Sequence, residues 1–237
     1  MDRFDTLIVK KAGSPLTTSV VSLMAREAGC YAQIRTKKED VLSLGDKVEI
    51  WHKADSETKL ATVSVSLIPR SDGLYDYWAT DPYREKLKKV VPSAGWRKAE
   101  VKEIAEDVLG SCGVEEYDLS FLPAVKLPHF SYKFQPGWCV LQALMDAVRS
   151  YDGTELMLMP DPDGAVVIGV RKDIAPADLP ISLSEADVIS MGEKCFSFHL
   201  LPMLCLQKFS FEGQSFTVKK VNHFVDARTR ETEVWTC

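Results

Sequence analysis

The chain has 237 residues, 46% hydrophobic and 27% charged, with a formal net charge of -5 and a sequence pI near 5.5. That length suits one large domain or two to three small ones sharing a core, and the composition is that of an ordinary globular protein. The balance argues against a dedicated nucleic-acid binder, which carries a basic excess or stripe. The longest apolar runs, "FLPAV" and "AVVIGV", fall far short of the roughly 20 residues of a membrane-spanning helix, which argues against membrane insertion. The start, "MDRFDTLIVKKAGSPL", lacks the basic region and apolar core of a secretory signal, so synthesis in a reducing cytoplasm is expected. Cys30, Cys112, Cys139, Cys195, Cys205 and Cys237 form no CxxC pair and read as free, mostly buried thiols rather than disulfides or a zinc site.

In chain order, "TLIVKK" is a short strand. "SVVSLMARE" and "CYAQIRTK" are set apart by Ala28-Gly29, a possible turn, and the first of the two could also be a short helix. "KVEIWH" alternates, with Val48, Ile50 and His52 on one face and Lys47, Glu49 and Trp51 on the other. "KLATVSVSLI" repeats the pattern, Ala61, Val63, Val65 and Leu67 opposing Thr62, Ser64 and Ser66. A period of two with one polar face predicts an antiparallel sheet wetted on one side. "RSDGLYDYWAT" adds an Asp72-Gly73 turn and a strand of Tyr and Trp residues.

At residue 81 the period changes. "DPYREKLKKV" predicts a helix with Asp81 as N-cap, Pro82 in first position, and Tyr83, Leu87 and Val90 on one face. "AEVKEIAEDVLG" predicts a clearer amphipathic helix, with Val101, Ile104, Ala105 and Val108 as its stripe and Gly110 as its stop. "FSYKF" is a short strand broken by "QPG", after which Leu141, Leu144, Met145 and Val148 mark a second helix ended by Asp152-Gly153. "TELMLM" then turns through Asp161-Pro162-Asp163-Gly164 onto "AVVIGVRK" as a hairpin. The prolines of "DIAPADLPISL" mark a boundary, and strands return in "DVISM", "CFSFHL", "KFSF", "SFTVKKVNHFV" and "TEVWTC", with Glu212-Gly213 as a hairpin turn.

Chemistry-bearing patterns are sparse. His52, His129, His199 and His223 stand at no metal-ligand spacing. His129 and Cys139 invite a Cys-His nucleophile reading, but Cys139 opens an amphipathic helix and burial accounts for it. "PDPDG" lacks the ligand series of a calcium loop. No phosphate-cradling glycine loop and no GxSxG is present, and no carboxylate pair is brought to a cleft. The residues point to a β-rich non-enzyme without a cofactor or metal.

Three stretches together resemble the baseplate hub proteins of contractile-tailed bacteriophages, the late control protein D group, to which the N-terminal hub part of type VI secretion spike proteins is related. The first is "VLSLGDKVEIW", with Gly45, Asp46 and Val48 at the turn before a barrel strand. The second is "FSYKFQPGWCVLQALMDAVRSYDGTELMLMPDPDGAVVIG", with Pro136, Gly137, Gly153 and Gly164 in a strand, helix and hairpin module. The third is "LCLQKFSFEGQSFTVKKVNHFVDARTRETEVW", with Gly213, Val218, Val221, His223 and Asp226, then Thr232 and Glu233.

The resemblance implies an α+β, mainly β fold in which two small antiparallel β-barrels, residues 1–81 and 173–237, flank an α/β module at 82–172. It also implies a homotrimer, a ring adapting a six-fold tail tube to a three-fold spike. Tail tube protein, spike protein and baseplate wedge proteins are its implied partners, DNA passes through the lumen unread, and the assembled site is a virion tail or phage-like particle. On this reading "FSFEGQSFTV" is the second barrel's counterpart of "LSLGDKVEIW", and a separate spike protein continues the tip, because no spike or lysozyme-like domain is appended. Two alternatives compete. One is a receptor- or glycan-binding tail module using Trp51, Tyr75, Tyr77 and Trp78. The other is a cell-wall hydrolase, for which no convergent acid or nucleophile stands out.

Overall fold

A computed structural model describes residues 5–27, 29–37, 41–69, 75–176 and 182–236. The chain divides into two compact units, Met1–Asp81 with Ala175–Cys237, and Pro82–Ile174. The first opens with strands β1 (Thr6–Lys11), β2 (Ser14–Pro15), β3 (Thr18–Arg26), β4 (Gly29–Thr36), β5 (Lys47–Lys53), β6 (Glu57–Leu67) and β7 (Tyr75–Thr80). The second holds α1 (Arg84–Leu87), β8 (Val90–Val91), β9 (Ala94–Glu100), α2 (Val101–Cys112), β10 (Tyr117–Asp118), β11 (Lys126–Tyr132), β12 (Gln135–Pro136), α3 (Gly137–Asp152), β13 (Leu156–Pro160) and β14 (Val166–Val170). The first unit then resumes with β15 (Ser182–Leu183), β16 (Val188–Met191), β17 (Cys195–His199), β18 (Lys208–Phe211), β19 (Gln214–Val225) and β20 (Arg230–Thr236). The fold is mainly β and mainly antiparallel.

In the first unit thirteen strands share one ladder, in the order β16-β17-β20-β19-β3-β4-β7-β6-β5-β1-β2, with β18 joining β19 and β15 joining β18. Two buried clusters lie beneath it. One is aliphatic and built from β1 and β3–β7, with Val9, Ile34, Val48, Ile50 and Val63 fully buried. The other gathers Phe196, Phe198, Phe209, Phe211, Val218, Val221 and Val234. The possible helix at "SVVSLMARE" is strand β3, because its alternating Val21 and Leu23 are buried between two partner strands.

The second unit packs α2 and α3 around Val101, Ile104, Ala105, Val108, Val140, Leu141, Leu144 and Val148. Strands β8–β9 and β11–β12 pair antiparallel with each other, and β13 and β14 form a hairpin joined by parallel β10.

Several expectations change. The helix at 82 shrinks to the four residues of α1, and Asp81 does not cap it. Both Asp81 carboxylate oxygens instead accept the buried Cys30 N–H at 3.0 Å. One isolated turn is too short to hold itself, and the ladder to Pro136 takes Val90, which is exposed, into β8. Helix α2 runs past Gly110 to bury Cys112, and Gly113 at φ 76° supplies the left-handed stop. Val140 replaces the half-buried Met145 in the α3 stripe. Leu67 faces solvent rather than the core, because a bulge between Val65 and Leu67 inserts one residue and reverses the alternation. A second register shift, at Ile50/Trp51, buries Leu60, Ala61 and Thr62 in succession. The Asp72-Gly73 turn, Ala28 and Cys237 lie outside the described residues.

Candidate functional site

The "LSLGDKVEIW" turn is a built feature. Gly45 sits at φ 86°, a left-handed conformation that costs a side-chain-bearing residue energy. Its N–H donates to the Val65 carbonyl at 2.8 Å, Val65 N–H donates back to Asp46 O at 2.9 Å, and Asp46 N–H donates to Ser43 O at 3.1 Å. The Asp46 carboxylate accepts Ser43 N–H at 2.8 Å and the Lys11 ammonium at 2.5 Å. Lys11 first, then the Ser43 amide, holds that carboxyl below the usual aspartate range. The turn thereby locks the start of β5, with buried Val48, to the end of β6.

The same pattern recurs at residues 204–207. Leu206, at φ 67°, donates its N–H to Val218 O at 2.8 Å, Val218 N–H donates to Gln207 O at 2.9 Å, and Gln207 N–H donates to Leu204 O at 3.2 Å. Gln207 Oε1 accepts Leu204 N–H at 3.0 Å, as Asp46 does from Ser43. The counterpart of the Gly45-Asp46 turn is therefore Leu206-Gln207. The expected counterpart at "FSFEGQSFTV" needs this correction: its Glu212-Gly213 pair, at φ 49° and 76°, is the tight turn joining β18 to β19.

The correspondence extends through both strand sets. The path β15-β18-β19-β20-β17-β16 matches β1-β5-β6-β7-β4-β3 position by position, in the same chain order. The bulge at Val65/Leu67 opposite β7 recurs at Val218/Lys220 opposite β20. Each bulge brings its second residue beside a tryptophan, Leu67 with Trp78 and Lys220 with Trp235, and the Lys220 ammonium lies 3.9 Å from the Trp235 ring centre. The shift at Thr18/Val20 between β3 and β4 recurs at Val188/Ser190 between β16 and β17. One element departs: β1 is antiparallel to β5, whereas β15 is parallel to β18.

One edge contact joins the two sets. β19 pairs with β3 from Lys220↔Arg26 to Val225↔Val21. The surfaces equivalent to its two sides are the end of β6 and strand β16. Both present apolar side chains to solvent: Leu67 at 56% and Ile68 at 39% exposure on one, Ile189 at 49% and Met191 at 61% on the other.

The remaining family-pattern positions play local roles. His223 is buried, its Nε2–H donating to Met203 O at 2.8 Å and its Nδ1 facing Thr232 Oγ1 at 3.1 Å. Thr232 Oγ1 accepts Leu201 N–H at 2.9 Å, so the pair pins segment 201–203 to β19 and β20. Burial, reinforced by nearby His52, lowers the His223 pKa to about 4, against a Met203 carbonyl that acts to raise it. Burial likewise lowers His52, whose Nε2 stands 4.0 Å from Asp5, beyond hydrogen-bond reach. Asp226 Oδ1 accepts Arg228 and Thr229 N–H groups at 2.7 and 2.6 Å, closing the β19–β20 turn. Glu233 accepts from Asn222 Nδ2 at 3.1 Å, and Val218 and Val221 are core. In the second unit, Gly153 (φ 79°) ends α3 and Gly164 (φ 86°) closes the Asp161 turn. Pro136 pairs with Val90. Gly137 lets α3 approach α2, because a Cβ there would lie 2.1 Å from Cys112 Sγ.

His129 is exposed on β11 and Cys139 half-buried in α3. Among the described residues no cluster of three or more His, Cys, Asp or Glu is placed to hold a metal, and no helix is long and apolar enough to cross a membrane. Of the four proposed recognition aromatics, Tyr77 is buried with its hydroxyl accepting Leu42 N–H, and Trp51 is covered by Lys10 and Lys59. Trp78 alone of the four is exposed.

No protein-family model matches the chain, and no curated protein matches its sequence. Solved structures do match its fold. A 43 kDa tail protein of prophage MuSo2 from Shewanella oneidensis superposes with a TM-score of 0.74 at 9% identity, over 98% of this chain and 97% of that one. A tail protein of Neisseria meningitidis gives 0.69 at 11% identity, over 98% and 96%. An Escherichia coli protein, c3393, described as a type VI secretion component with structural similarity to the bacteriophage T4 tail proteins gp27 and gp5, gives 0.64 at 9% identity, over 98% and 76%. The chain thus has the fold of phage tail proteins and of a type VI secretion component.

Proposed function

We propose that the chain is a structural phage tail protein, the baseplate hub of a phage or phage-derived injection machine. The observation that carries this reading is the duplicated strand path. In each copy of the path the two end strands are near neighbours in the chain. Leu16 N–H donates to Val9 O and Lys37 N–H to Thr17 O, so the link between β2 and β3 bonds to β1 on one side and to β4 on the other. This supports closure of the first path into a small barrel, residues 1–81, and by the correspondence of the paths a second at 173–237, flanking the module at 82–172.

Two near-equivalent barrels per chain suit a head-to-tail ring, in which the internal β3–β19 contact is echoed between copies by the apolar ends of β6 and β16. Three copies then place six similar barrels around an axis, matching a six-fold tube to a three-fold spike. Tube, spike and wedge proteins are the partners this assigns. The fold likeness to tail proteins agrees with a structural rather than enzymatic role, and the receptor-binding alternative loses support with Tyr77 buried and Trp51 covered.

The test is absolute mass in solution with electron microscopy. A mass near three times 26.5 kDa, in rings of six lobes, supports the reading. Leu67→Glu with Met191→Glu should return a folded monomer. A monomer at every concentration, alone and with a tube-forming partner, overturns it.

A further inference from the structure

We propose that the outer face of the β8–β9/β11–β12 ribbon in the second unit is a docking surface for an acidic segment carrying aromatic or aliphatic side chains, presented by a partner protein. The ribbon is made of two short ladders: Val90 pairs with Pro136 and Val91 with Gln135, Ser93 Oγ accepts Phe134 N–H at 3.1 Å in the gap, and a second ladder runs from Ala94↔Tyr132 to Glu100↔Lys126. Its inner face is core, with Val91, Ala99, Leu127 and Phe130 buried. Its outer face leaves Val90 at 55% and Phe134 at 73% exposure, and Trp138, two residues beyond Pro136, at 54%. Three large apolar side chains left open at the Val90–Pro136 pair or within two residues of it mark an interaction site rather than ordinary surface.

The charge around them is one-sided. Residues 84–98 hold six basic residues and one acidic, and 126–138 hold two basic and none acidic, whereas the rest of 82–174 holds four basic and thirteen acidic. The register brings part of this charge together: Arg97 and Lys98 lie on β9, Lys126 on β11 and Lys133 just after it, while Arg84, Lys86, Lys88 and Lys89 lie in or just after α1, which leads into β8. Of these, Lys88 is paired with Glu85 at 2.5 Å and Lys126 with Glu100 at 3.4 Å. An apolar centre flanked by Lys88 and Lys89 just before β8, where Lys89 O accepts Gly137 N–H at 3.0 Å, and by Lys133 next to Phe134 on the other side, fits a partner of opposite charge with apolar anchors. Aliphatic Val90 and Pro136 at the centre favour a peptide over nucleic acid, whose bases stack on aromatic platforms. This surface shares no residue with the β6 and β16 ends, and the inference stands whether or not the chain closes into a ring.

The experiment titrates the full chain into three labelled probes read by fluorescence anisotropy: a short glutamate peptide interrupted by phenylalanine and leucine, its all-glutamate counterpart, and an oligothymidylate of equal charge. We expect saturable binding of the first, weakened by salt, and about tenfold tighter than either other probe. Lys88→Glu with Lys133→Glu, and separately Phe134→Ser, should each weaken it about tenfold, with thermal unfolding and solution mass unchanged. No binding of the mixed peptide, equal binding of the all-glutamate peptide, or tighter binding of the oligothymidylate would each overturn the proposal.

Discussion

The strand set of β1–β7 is filled with aliphatic side chains, and the set of β15–β20 with phenylalanines, although both follow one path with the same turn and the same bulges. The difference tracks strand length. β3, β4 and β5 have 9, 8 and 7 residues, whereas their counterparts β16, β17 and β18 have 4, 5 and 4; β6 and β19, at 11 and 12, are of a length. Short strands offer few inward positions, and protein interiors pack to one density, so each inward position must carry more volume. Phe196 stacks on Phe198 at 5.7 Å and meets Phe209 and Phe211 edge-on at 5.7 and 5.8 Å. Path, turn and bulge are the repeated elements; the side chains are what each copy uses to fill its own volume.

The largest expected effect follows from that volume. Phe198→Ala, at a position with 0% exposure, should cost about 3–5 kcal/mol in urea-induced unfolding, because few neighbouring strands can close the cavity. A loss below 1 kcal/mol would show that the aromatic cluster is not the packing element claimed.

Acid should come next, acting through the buried histidines. His223 falls from 6.5 unfolded to about 4 folded, so the folded state disfavours its proton. Its contribution is fully present above pH 6.5 and is lost as pH falls toward 4, to a total of roughly 3 kcal/mol. His52 is shifted in the same direction. Stability measured across this window should rise with pH, and His223→Gln should flatten the slope. An unchanged slope in that variant would remove His223 as its source.

The duplicated turns permit a subtler comparison. Gly45→Ala meets no atom within 4 Å but retains φ 86°, so it should cost about 1–2 kcal/mol through backbone strain alone, a strain that Leu206 already bears at φ 67°. Thermal unfolding checks it, and a neutral result would mean that the turn can relax. Smallest is Ile50→Val, at about 0.5–1.5 kcal/mol, because the longer aliphatic strands can settle around one missing methylene. If it matched Phe198→Ala, the contrast between the two sets would fail.

Much of the local structure was legible in the residues. Alternation located β5 and most of β6, the apolar stripe located α2 and α3, and Asp-Pro-Asp-Gly located the β13–β14 hairpin, because each is dictated by spacing along one segment. The errors lie where a distant partner decided. Val90 reads as the end of a helical face and became a strand opposite Pro136. Leu67 reads as core and was turned outward by a bulge that only the register against β7 creates. The candidate site was partly visible. Gly45-Asp46 could be read as a turn, yet its twin at Leu206-Gln207 contains neither residue. The shared traces, Lys47 and Lys208 at the strand starts and Trp78 and Trp235 after the bulges, are too few to align without coordinates.

The sequence alone determined most of the strands and both long helices, where most tight turns fall, and that charge is segregated within residues 82–174, because those properties belong to neighbours along the chain. Only the tertiary structure decided that segments more than a hundred residues apart share one ladder, that two dissimilar turns make the same hydrogen bonds, and that basic β9 lies against β11. Backbone hydrogen bonding, which makes these arrangements equivalent, uses atoms every residue possesses and so leaves little imprint on side-chain identity.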